Sequence, residues 1–183
     1  MHKTVIASFP RVSNAEDALK HLNDQGFTNR DIGVIAREGV IEHTNLEDTN
    51  DAVSKAAQGA ASGATTGGII GGITGLLMGI GAIVIPGLGA LMIGGTLAAA
   101  LGLTGAAAVT ATGAATGALA GGLIGALAGL GVSEDVSKKY EEVIKDGGIV
   151  LAISTHTDGA TNEVEDVVRN AGGDNVVIVD NEW

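Results

Sequence analysis

Cysteine is absent from the 183 residues, and with it go disulfides, thiolate nucleophiles and cysteine-ligated metals. Aromatic side chains are nearly absent too: one Trp, one Tyr and two Phe. Those residues normally supply the largest packing area each, so this chain must pack small side chains over long contacts. Proline occurs twice, at Pro10 and Pro86. Positive charge is scarce. Ten Lys and Arg stand against 21 Asp and Glu, a formal net charge of −11. Binding to nucleic acid needs a basic stripe that releases counterions from phosphates, and docking on anionic lipid needs a basic surface. Neither is present. The acidic balance reads as solubility and spacing between copies.

Signatures of catalysis are missing as well. A dinucleotide fingerprint fails at its third glycine, because Gly79-Ile80-Gly81 is followed by Val84 and Gly87-Leu88-Gly89 by Met92. No Gly-Lys-Ser/Thr phosphate loop and no Gly-x-Ser-x-Gly elbow occurs. His2, His21, His43 and His156 show no His-x-x-x-His spacing, and zinc would need three or four ligands gathered from far apart. Glu42, His43, Glu47, Asp48 and Asp51 could surround a hard cation, but a solvated acidic linker is the plainer reading. The expectation is a chain that is not an enzyme, with no catalytic residue, cofactor or metal.

What is present falls into three zones. Residues 1–48 read as a β-α-β unit. Thr4 to Phe9 is a strand, and Ser13-Asn14-Ala15-Glu16 has the form of a capping box. Ala15, Ala18, Leu19 and Leu22 recur at helical spacing, Gly26 stops the helix, and Asp31 to Ala36 is a second strand. Residues 133–183 open with a helix capped at Ser133 and striped by Val136, Tyr140, Val143 and Ile144. A second β-α-β unit follows: a strand from Ile149 to Ser154, a helix from Thr161 to Ala171 and a strand from Asn175 to Asp180. Two such units make a ferredoxin-like α+β fold. Nothing in the first ten residues has the length of a signal peptide, so a cytoplasmic start is expected.

Between them, residues 49–132 read as an insertion. From Ala56 to Ser133 there is no Asp, Glu, Lys, Arg or His. Gly59, Gly63, Gly67, Gly71, Gly75 and Gly79 fall every fourth residue, and Gly113, Gly117, Gly121, Gly125 and Gly129 repeat the pattern. That step keeps glycine on one side of a helix. Each glycine costs up to about 1 kcal/mol against alanine, a cost that makes sense where another backbone comes close. Pro86, Gly87 and Gly89 supply the turn. The expectation is therefore a glycine-zipper helical hairpin with its tip between Pro86 and Gly95. Threonines such as Thr96 would bond back to the preceding turn of their own helix. The aliphatic backs, Ile69, Ile73, Leu76, Leu123 and Leu127 among them, need cover.

Three lines of sequence together resemble the YflT-type general stress proteins, also met as low-temperature-induced proteins. They are Thr4-Val5-Ile6-Ala7-Ser8-Phe9 with Asn14 to Ala18 and Gly26-Phe27, the glycine runs flanking Ile85-Pro86-Gly87-Leu88-Gly89, and Leu130 to Glu134 with Tyr140-Glu141 and Gly147 to Leu151. The resemblance implies bacterial stress induction and association with membranes, and no activity. The resulting expectation is a non-catalytic protein that self-associates through its hairpins at or in the cytoplasmic membrane. The alternative is a soluble oligomer or filament cored by the same hairpins. Partners would be further copies and membrane lipid, not nucleic acid.

Three structural expectations follow. A partner subunit or the Ser133 helix should cover the second sheet face. Residues 59–131 should be dispensable for folding. Antiparallel pairing about Gly94 should set Gly67 against Gly121 and Gly71 against Gly117, with Gly95 as an unpacked reference position.

Overall fold

A computed structural model describes residues 2–28, 30–37, 40, 81–85, 88–100 and 122–181. Strand β1 (His2–Phe9) leads through Pro10 and Arg11 into helix α1 (Val12–Asp24), and β2 (Ile32–Arg37) follows. Next come strands β3 (Gly81–Ile85) and β4 (Gly89–Gly94), the short helix α2 (Thr96–Ala100), and helices α3 (Gly122–Gly129) and α4 (Glu134–Lys145). Strand β5 (Ile149–Thr155), helix α5 (Asp158–Asn170) and strand β6 (Asp174–Asn181) complete the order. The protein is mixed α+β. Among the described residues the strands form one sheet in the order β3-β4-β2-β5-β1-β6, and every neighbouring pair is antiparallel.

Alternation along the strands sorts the core into two layers. Val5, Ala7 and Phe9 of β1, Val34 of β2 and Leu151 of β5 project to one face. There they meet Ala15, Ala18, Leu19 and Leu22 of α1 and Val164 and Val168 of α5. Ile6, Ile35, Val150 and Ala152 project to the other face. They meet Tyr140 and Ile144 of α4, Leu123 and Leu127 of α3, Leu97 of α2, and Leu91 and Ile93 of β4. Burial on both sides explains why Ile149-Val150-Leu151-Ala152-Ile153 has no polar alternation. Of the two covers expected for the second face, the Ser133 helix is the one observed, and it shares the task with α2, α3 and the β3–β4 pair.

Three local expectations are corrected. The capping box does not form: Arg11 holds the cap position, and Ser13 lies inside the first turn. Val12 packs against the first core layer and so draws the helix start toward the strand. Helix α5 begins at Asp158 rather than Thr161, because the Thr157 hydroxyl accepts a bond from the Ala160 amide at 3.2 Å and caps an earlier turn. The largest correction concerns residues 81–94, expected to lie at the tip of a helical hairpin. They form two antiparallel strands, with Ile83 opposite Leu91. The free edge of β2 recruits β4, setting Ile35 against Ile93, and the β-branched Ile83-Val84-Ile85 suits the outer strand.

Gly95, expected to be unpacked, is tightly constrained. Its φ is +66°, and a Cβ built there would lie 1.8 Å from the Ile32 carbonyl oxygen. Only glycine fits where β4 turns into α2 against β2.

Candidate functional site

Helix α3 is where the glycine repeat meets the described fold. At 100° per residue, Leu123 and Leu127 share one side of it, and Gly125 and Gly129 lie on the opposite side. The leucine side is driven into the second core layer. Leu123 and Leu127 are buried together with Leu130 and Val132, against α4 and the sheet. Part of the aliphatic cover sought in the sequence is thus the sheet itself. The glycine side points away: Gly125 is half-buried, Gly129 is exposed, and a Cβ added at Gly129 meets nothing within 4 Å among the described residues. Helix α3 starts beside the end of β3, since a Cβ on Gly122 would lie 3.8 Å from Ile85 Cγ2.

The other proposed packing and turn positions are distributed as follows. Gly89 opens β4 with φ +81°. Gly59, Gly63, Gly67, Gly71, Gly75, Gly79, Gly113, Gly117 and Gly121, with Pro86 and Gly87, lie outside the described residues. So does the acidic stretch from Glu42 to Asp51.

Sequence spacing gave no hint of a small polar recess beneath α2. Thr4, Thr96 and Ser154, with Ile6, Leu97, Leu130 and Val179, line a cavity of about 10 Å³, room for at most about one water. The Thr96 hydroxyl is buried there without a partner among the described residues, rather than bonding back along its own helix. A recess of that size cannot admit an organic substrate.

Tyr140 belongs to the apolar stripe of α4, yet its hydroxyl matters equally. It lies 2.6 Å from the Asn175 carbonyl oxygen and 3.1 Å from that of Ile6. Asn175 has a positive φ of 52°. Its amide nitrogen Nδ2 donates to Ser8 Oγ at 3.1 Å, and Ser8 Oγ donates to the Asp174 carbonyl at 3.0 Å. This network sits where the β1–β6 register shifts between Ile6 and Ser8. An irregular ladder leaves backbone groups to be satisfied by side chains, and the phenol serves that need.

Among the described residues no cluster of three or more His, Asp or Glu is placed to hold a metal, and no helix is long and apolar enough to cross a membrane. Compared with models of known families, with curated proteins and with solved structures, the chain matches none.

Proposed function

We propose that this is a non-catalytic, self-associating protein of the bacterial stress-response type, assembling through its glycine-repeat segments at or in the cytoplasmic membrane. The single observation that carries the reading is the orientation of α3. Its leucine side is spent on the core, and Gly125 and Gly129, the last two members of the four-residue glycine repeat, lie on the opposite side, with Gly129 exposed. A glycine row turned away from its own core suits close backbone approach by another helix. The charge-free sequence on either side suits burial of that row in apolar surroundings.

A ferredoxin-like frame fits the same picture. The outer zones contribute strands in the order β2-β5-β1-β6, with α1 and α5 crossing one face. The β3–β4 pair then widens the frame along β2. A soluble assembly is the second reading, favoured by the absence of Trp and Tyr from the charge-free segment, since such residues anchor helices at lipid interfaces.

Cell fractionation without detergent tests the proposal. Recovery in the membrane pellet, released by detergent as an oligomer, is the expected result. A large particle in the soluble fraction selects the second reading. A monomer in both fractions overturns self-association.

A further inference from the structure

The β1–β5 ladder ends with Lys3 opposite Thr155. One step further along the same antiparallel register, His2 stands opposite His156. Side chains directly opposite in such a pair share one face, about 4.5–5.5 Å apart at Cβ. Both imidazoles are exposed. Their Nδ1 atoms are 2.7 Å apart, and the rings meet edge to face with centroids 4.7 Å apart. At that separation one Nδ1 carries the proton and the other offers its lone pair. The two nitrogens therefore converge on a single point, held there by backbone register.

We propose that His2 and His156 form a two-histidine site for a divalent cation of the zinc, nickel or copper class, bound through both Nδ1 atoms. Imidazole suits those ions. With metal–nitrogen bonds of about 2.0–2.1 Å, two nitrogens on one tetrahedral ion stand about 3.3 Å apart, so the pair must open by roughly 0.6 Å. Exposed rings can do this by a small torsion. Ligation requires the ring that carries its proton on Nδ1 to hold it on Nε2 instead, which directs both lone pairs at the ion with no net loss of a proton. Asp158 is nearby but already engaged by Lys3 Nζ at 2.8 Å, so water completes the coordination. His21 is no competitor of the same kind, since its Nδ1 bonds the Asp17 carbonyl oxygen one helical turn away at 2.9 Å. The ion would tie the first residue of β1 to the residue that follows β5, one step beyond the last pair of this ladder.

Titrating the full-length protein with zinc, by calorimetry and by nitrogen NMR of the imidazole rings, tests the site. The expected result is one ion per chain, with the largest shifts at Nδ1 of His2 and His156. His2→Ala and His156→Ala should each weaken binding by more than the roughly tenfold that even an outer-shell change costs. His21→Ala and His43→Ala should leave it unchanged. Circular dichroism checks that all four variants remain folded. Binding that survives His156→Ala, binding lost in His43→Ala, or no heat and no shift in the native protein overturns the proposal.

Discussion

Tyr140 shows how much one polar atom can matter in a core of small aliphatics. Burial pushes its phenol well above the usual tyrosine range, because the ionised form loses water without gaining a cation. A folded-state value above the unfolded one means that the neutral phenol favours folding. That contribution is complete below about pH 10, the unfolded value, and is lost progressively as pH rises from there through the raised folded-state value. This is the only tyrosine in the chain, so its absorbance reports it alone. The expected outcome of an alkaline titration is that tyrosinate absorbance and loss of circular dichroism rise together, not separately. Tyr140→Phe should lower stability by about 1–3 kcal/mol in urea unfolding, the cost of leaving buried carbonyls without their donor, and should flatten the alkaline decline. Gly95 makes the opposite point. Placed as an unpacked reference on sequence grounds, it abuts the Ile32 carbonyl. Gly95→Ala should therefore be among the more damaging single changes, measurable as a fall in Tm.

At the level of elements, the outer zones were legible because each strand and helix carries its own periodicity and stop signal. Ala15, Ala18, Leu19 and Leu22 are buried as their spacing requires, and Gly26 and Gly147 take positive φ at the helix ends. The β3–β4 pair was not legible. Short apolar runs such as Ile83-Val84-Ile85 read equally as strand or buried helix, and the neighbouring glycine period tipped the reading toward helix. What decides between them is the free edge of β2, a tertiary fact. The consequence reaches the expectation that residues 59–131 are dispensable. Leu91, Ile93, Leu97, Leu123 and Leu127 all come from that span and cover Ile6, Ile35 and Val150. A chain shortened by 59–131 should expose this face and bind a hydrophobic dye. Leu127→Ala in the full chain should cost about 2–5 kcal/mol. Gly129→Leu, on the opposite side of α3, should change the unfolding midpoint little and yet disrupt any assembly built on the glycine row.

For the whole molecule, the division of labour follows charge. The acidic exterior belongs to the two outer zones, and the segment from Ala56 to Ser133 carries no ionisable side chain. Helix α3 lies at the border, leucines inward and glycines outward. Whether its glycines meet the earlier glycine run of the same chain or that of a neighbour would decide the architecture of the proposed assembly. The absence of cysteine makes a direct measurement available. The register expected from the sequence would set Gly67 against Gly121, but residues 81–94 form the β3–β4 pair and not the helical tip that fixed it, so this pairing is a proposal for measurement. Cysteines placed at Gly67 and Gly121 can bridge only if their Cα atoms come within about 7 Å. If the zipper closes within one chain, mild oxidation should give a monomer of increased gel mobility, whatever the protein concentration. If it closes between chains, covalent dimers should appear and mixed oxidation of the two single-cysteine variants should give the same product. The outward glycine side of α3 and the net charge of −11 pull in different directions here, since close packing of copies brings acidic surfaces together. Raising salt should therefore increase the between-chain product and leave a within-chain product unchanged. A double variant that forms neither, while its single-cysteine parents stay folded, would show that the two glycine runs do not face each other in this register.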